Sequence, residues 1–159
     1  MTSPIATYMA TIADAAALDW SKPLTCVRVI DGDTIVICDG ESIDKVRLAA
    51  IDAPELALQG CPAQFYADQA RALLATWIEG HAIMLAPEPN QPGPDPYGRS
   101  ICWLRFAESC SNVNALLVLH GAARVRNDWH TAQHPLLHAL QARAKAHRLG
   151  MWAALPPPS

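Results

Sequence analysis

Five side chains in this sequence could do chemistry together: Asp33 in "VIDGDT", Arg47 in "KVRLAAI", Asp52 and Glu55 in "IDAPE", and Arg99 in "DPYGR". Each alone has a plain structural role. Asp31, Gly32 and Asp33 suit a tight turn, because Asp hydrogen-bonds its own backbone and Gly accepts positive φ. Arg47 suits an edge strand, Asp52 and Glu55 flank a turn at Pro54, and Arg99 suits solvent. Together they amount to more. Acids that can bind a hard cation or take a proton from water, beside guanidinium groups that can grip a phosphate, are what metal-assisted phosphoryl chemistry requires.

Other metal chemistries fit poorly. "DGDTIVIC" turns apolar straight after its acids, whereas an EF-hand loop needs acids at alternate positions and a distant Glu, so a metal site here must be assembled from separate strands. His130, His134 and His138 have helical spacing, but Pro135 sits among them and no HExxH is completed; they read as surface residues. The five cysteines, Cys26, Cys38, Cys61, Cys102 and Cys110, include no CxxC pair, which argues against a zinc knuckle or a thioredoxin-like redox motif. Cys26 and Cys38 lie symmetrically about Gly32 and can face each other across a hairpin, although buried free thiols packing as small apolar groups are the simpler reading.

The elements that must position these residues follow from pattern. "TCVRVI", "TIVIC" and "KVRLAAI" read as an antiparallel meander broken at "DGD" and "DGES", and Pro54 ends the third strand because it has no N–H for the ladder. The alanine-rich 62–78 reads as a helix with Pro at its first turn and Gly80 past its end, its apolar face running through Phe65, Leu73 and Trp77. "HAIML" and "SICWLRF" read as a fourth and a fifth strand. The proline-rich "APEPNQPGPDPYGR" between them is an exposed loop. A short helix capped by Asn112 and closed by Gly121, and a last helix from His134 to the stop at Gly150, complete one α+β domain. Strict alternation puts Arg47 and Asp52, five residues apart, on opposite faces of a sheet, so they meet only if the strand ends or bends between them.

"VIDGDT", "VRLAAIDAPE", "DPYGR", "VNALLVLHGAARV" and "RLGMW", in that order and at matching intervals from Leu24 to Trp152, resemble the staphylococcal nuclease (thermonuclease) family. The resemblance implies a five-stranded OB-fold β-barrel with three helices. It divides the chain into an N-terminal extension of unknown role over 1–22, a nuclease domain over 23–153 and a disordered tail over 154–159. Carried over by position, it makes Asp33, Asp52 and the backbone carbonyl of Ala53 the ligands of Ca²⁺, Glu55 the general base, and Arg47 and Arg99 the phosphate grips. Planar guanidinium forks stabilise the charge on a phosphodiester better than lysine does. Tyr97 and Trp129 fall among the substrate-contacting aromatics. Pro96 departs from the pattern, standing where a lysine near the nucleotide phosphate is found, and Asn127 replaces one tyrosine.

The implied activity is calcium-dependent hydrolysis of DNA or RNA, preferably single-stranded, leaving 3′-phosphate ends. The alternative is an OB-fold module of the same family that has lost catalysis and only binds nucleic acid or protein. Composition bounds both readings. With 12 Lys and Arg against 15 Asp and Glu, nucleic acid must be held by a local patch, for which Arg124, Arg126, Arg143, Lys145 and Arg148 are candidates alongside a plain solvated helix face. No apolar run reaches the ~20 residues of a membrane helix. Lys22 is the first basic residue, so the start lacks the positive region of a secretory signal; a cytoplasmic, monomeric protein is expected.

Overall fold

The computed structural model describes residues 18–154, so most of the extension expected over 1–22 and nearly all of the tail expected over 154–159 lie outside the described residues. Five strands close a barrel in the order β1 (Leu24–Asp31), β2 (Thr34–Asp39), β3 (Ser42–Leu48), β6 (Ser100–Phe106) and β5 (Ala82–Pro87). The β5 strand returns to β1 through Leu24–Ile83 and Thr25–Ala82. All neighbours are antiparallel except β3 and β6, which run parallel. Closure removes the open sheet edge and gives a packed interior, in which Val29, Ile35, Val46, Leu48, Ile83 and Leu104 are buried. The five-stranded OB-type barrel with three helices is therefore present.

The third strand departs from the expected "KVRLAAI". It stops at Leu48, and buried Ala50 takes a left-handed backbone with φ 64°. That conformation costs a non-glycine residue roughly 1 kcal/mol. The chain then re-enters a two-residue strand, β4 (Ile51–Asp52), which pairs with an equally short β7 (Arg124–Val125). Neither short strand is visible in the pattern, because two residues carry no periodicity.

The first helix, α1 (Ala67–Ile78), starts later than the expected 62–78, because Tyr66 adopts φ 73° and turns the chain into it. Its buried face is Ala67, Ala70, Leu74 and Ile78; Leu73 and Trp77 pack at the margin, and Phe65 is outside the helix and 58% exposed. Small alanines let α1 approach the β1–β2 turn closely: a Cβ on Gly32 would lie 2.6 Å from the Ala53 Cβ and 3.1 Å from that of Ala70.

Helix α2 (Val113–Leu119) is capped as expected, the Asn112 side chain accepting from the Ala115 N–H at 3.1 Å. Buried Asn114 accepts from the Leu104 N–H at 3.0 Å and donates to the Ala49 carbonyl at 3.0 Å, tying α2 both to β6 and to the bend after β3. Helix α3 (His134–Ala146) packs on α2 through Leu137 and Leu140. A single turn of 3-10 helix, Gly150–Ala154, ends the described chain. Gly121 is required where α2 stops, since its φ is 71° and a Cβ there would lie 2.2 Å from the Leu149 carbonyl oxygen.

Candidate active site

The left-handed Ala50 answers the question of faces. By breaking the alternation between β3 and β4 it swings Asp52 round to Arg47, whose Nη2 lies 3.4 Å from Asp52 Oδ1 and 3.3 Å from Asp33 Oδ2. One guanidinium nitrogen thus sits between two carboxylates, one from the β1–β2 turn and one from β4. Arg47 is itself buried, and its Nη1 donates to the Leu48 carbonyl at 2.8 Å.

Asp33 leaves the β1–β2 turn with its side chain inside the protein, 5% exposed. The turn is made by its neighbours: Asp31 Oδ1 accepts from the Asp33 N–H at 3.1 Å, and Gly32 supplies the close approach to α1. Oδ2 of Asp33 accepts from the Ala53 N–H at 2.7 Å and Oδ1 from the Thr34 hydroxyl at 3.1 Å. Burial pushes its carboxyl up from 3.8 to about 7; Arg47 and the Ala53 amide pull it down, Asp31 pushes it up, and burial prevails. The Arg47 guanidinium beside it offsets only part of the cost of burying a charged carboxylate.

Arg99 reaches the same region from the end of the proline-rich loop. Asp95, four residues earlier, holds it by accepting from Arg99 Nε at 2.7 Å and from the Arg99 and Tyr97 N–H groups at 2.9 and 3.0 Å. Burial alone would raise the Asp95 carboxyl, but those donors together outweigh it and keep it below its ordinary value. Arg99 Nη1 donates to the Thr34 hydroxyl at 3.4 Å, so Thr34 bridges Arg99 and Asp33. Tyr97 is 82% exposed, with the Arg99 guanidinium 5.2 Å from its ring centre.

Trp129 lies half-buried against the guanidinium groups of Arg126, 4.2 Å from its ring centre, and Arg47, at 5.7 Å. It helps line an open cleft of about 340 Å³ with the proline-rich loop, Tyr97, Arg99 and Arg126. The structure therefore brings Asp33, Arg47, Asp52, Arg99 and Trp129 into one connected cluster. Glu55 follows buried Ala53 and Pro54 as the first exposed residue of the next loop. Its carboxylate makes no hydrogen bond to another described residue; its backbone is held by Gln64.

Four contributors escaped the sequence reading: Thr34, Gln64, Asp95 and Arg124. Arg124, expected in a basic patch, instead donates to Asp52 Oδ2 from Nε at 3.1 Å and Nη2 at 2.8 Å. Arg126 likewise chelates Asp128 at 2.6 and 2.8 Å. Only Asp95, at helical-turn distance from an arginine, left a readable signal. His134 is not the surface residue expected; it is partly buried, and its Nε2 donates to the Arg126 carbonyl at 2.9 Å, anchoring the segment that carries Trp129. His138 stays exposed. The main-chain register pairs Cys26 with Ile37 rather than Cys38; Cys38 is a free thiol, and the Cys26 side chain lies outside the described set.

Among the described residues no cluster of three or more His, Cys, Asp or Glu side chains is placed to hold a metal, and no helix is long and apolar enough to cross a membrane. Any cation would rest on the two carboxylates, backbone oxygen and water.

Comparison with known proteins bears on the family of the whole chain. The model of the staphylococcal nuclease homologue family matches residues 45–154. An uncharacterized endonuclease of Escherichia coli O157:H7 is 31% identical over 145 residues, covering 87% of this chain and 86% of its own. The thermonuclease of Staphylococcus intermedius is 30% identical over 129 residues, covering 79% and 73% respectively. Protein ParB of Escherichia coli is 30% identical over 134 residues, covering 80% and 70%.

Proposed function

Because the chain belongs to the staphylococcal nuclease family, we propose that it is a calcium-dependent nuclease hydrolysing DNA and RNA, preferably single-stranded, and leaving 3′-phosphate ends. The observation that carries this reading is the convergence of Asp33 and Asp52 on one nitrogen of Arg47, with Arg99 joined to them through Thr34.

The residues present fit calcium. Every available donor is an oxygen, which a hard cation prefers, and Ca²⁺ keeps water in the positions the protein leaves open. Asp33 is held where burial disfavours its charge, so a cation beside it restores the balance. Asp33, Asp52 and the Ala53 carbonyl would hold the ion. When bound, it supplies positive charge that stabilises a phosphodiester as its oxygens gain negative charge.

The chain's own groups account for the rest. Arg99, fixed by Asp95 through Nε, has Nη2 to donate to a phosphate oxygen, and the planar fork orients the group as well as binding it. Arg47 bridges the acids and would offer its remaining N–H groups to the second phosphate oxygen. Glu55, exposed and otherwise unbonded at its carboxylate, takes a proton from water. The new O–P bond forms as the bond to the 5′ oxygen breaks, the departing 5′ oxygen takes up a proton from solvent, and the phosphate stays on the 3′ side. Tyr97 and Trp129 at the rim of the cleft offer rings against which unpaired bases stack, which favours single strands.

Denatured DNA and RNA incubated with the protein, with calcium and then with chelator, test the reading. Cleavage in calcium alone, with products that a kinase labels directly at their 5′-hydroxyl ends and that a polymerase extends at their 3′ ends only after phosphatase treatment, is the expected result. Retained DNA binding without cleavage by correctly folded protein would instead favour the binding-module alternative.

A further inference from the structure

Glu55 is the first residue of an exposed excursion over 55–64 that has little packing of its own: Leu58, within it, is 70% exposed. A base at the mouth of such a loop needs something other than burial to keep its place. Gln64 provides it. Its Oε1 accepts from the Glu55 N–H at 2.8 Å, and its own N–H donates to the Glu55 carbonyl at 2.9 Å. Both backbone polar groups of Glu55 are therefore held by one residue, across the neck of the loop. Farther out, Leu58 and Cys61 exchange two backbone hydrogen bonds, at 3.0 and 2.8 Å, so the excursion folds back on itself.

Gln64 is in turn attached to α1, since its carbonyl accepts from the Ala67 N–H at 3.1 Å. The same helix presents Ala70 to Gly32, next to Asp33. The two halves of the site, acid ligand and base, are thus referenced to one rigid element, Asp33 through the packed turn and Glu55 through Gln64.

We propose that Gln64 is a positioning residue for Glu55: by bonding both sides of its backbone it clips the base to α1 and holds it in register with Asp33. The proposal rests on Glu55 acting as the base. A base displaced by about 1 Å loses catalytic effect out of proportion to any loss of stability. Because Gln64 is exposed, its loss leaves the core intact.

Two variants test this. Gln64→Met keeps the length but cannot accept; Gln64→Glu keeps an acceptor, and its added charge acts on KM by repelling a polyanion. With denatured DNA and saturating calcium, Gln64→Met lowers kcat about ten-fold while KM, calcium affinity and thermal midpoint stay near wild type. Gln64→Glu restores kcat to within about three-fold. Exchange of the Glu55 amide hydrogen is about ten-fold faster in Gln64→Met than in wild type and slow again in Gln64→Glu. Unchanged kcat in Gln64→Met, a loss that Gln64→Glu does not restore, or an unprotected Glu55 amide in the wild type overturns the proposal. Full activity in Glu55→Gln, or an inert wild type, removes the base reading itself, whereas an inactive Glu55→Gln beside a fully active Gln64→Met removes only the clip.

Discussion

Asp33 is the residue at which stability and the proposed chemistry pull against each other. In the metal-free protein its carboxyl is pushed up to about 7 by burial, against 3.8 ordinarily. Between those values the folded protein keeps a proton that the unfolded chain has released. Its contribution to stability is therefore fully present below about pH 4 and is lost as pH rises through about 7. Urea denaturation in chelator should show the wild type losing stability relative to Asp33→Asn between pH 5 and pH 8. The substitution suits the site, because an amide oxygen can still accept from the Ala53 N–H. A stability difference that does not change with pH would show that Asp33 is not held protonated. Calcium at pH 8 should raise the wild-type midpoint and leave Asp33→Asn nearly unmoved.

At the level of elements, the site depends on a bend. Arg47 and Asp52 meet because β3 ends at Leu48 and Ala50 is left-handed, and Asn114 braces that bend from α2. Asn114→Leu leaves the Leu104 N–H and the Ala49 carbonyl without their buried partner and should cost about 2–4 kcal/mol by chemical denaturation. A change below about 0.5 kcal/mol would mean the brace is not needed. The sequence made the barrel strands legible through their apolar runs, and made Asp33, Arg47, Asp52 and Arg99 legible because charged side chains stand out against such runs. The bend itself was not legible, since alanine at a left-handed position carries no mark of its conformation. Nor were Thr34, Gln64 and Arg124, whose roles arise only when distant segments meet. The α1 face was misassigned because its tightest contacts are made by alanines, which large aromatic neighbours outweigh in any reading of hydrophobicity.

Over the whole molecule, charge limits how nucleic acid can be held. The chain carries a net charge of −3, and Arg124 and Arg126 are already paired with Asp52 and Asp128. On the proposed function, binding would rest on few phosphate contacts and on stacking at Tyr97 and Trp129. Single strands lose about 0.7 in log affinity per decade of salt for each phosphate neutralised. Two or three contacts predict a slope of about −1.5 to −2 for denatured DNA. A slope steeper than about −4, measured by fluorescence anisotropy with calcium held constant, would require further basic side chains, such as Arg143, Lys145 and Arg148, to reach the strand.

Cleavage of denatured DNA by wild type and by Glu55→Gln, each saturated with calcium as verified by titration calorimetry, addresses the central claim most directly. The account predicts rapid cleavage by the wild type, abolished by chelator, and a fall in kcat of at least about a hundred-fold in the variant, with calcium affinity preserved. Equal rates for the two proteins would contradict it.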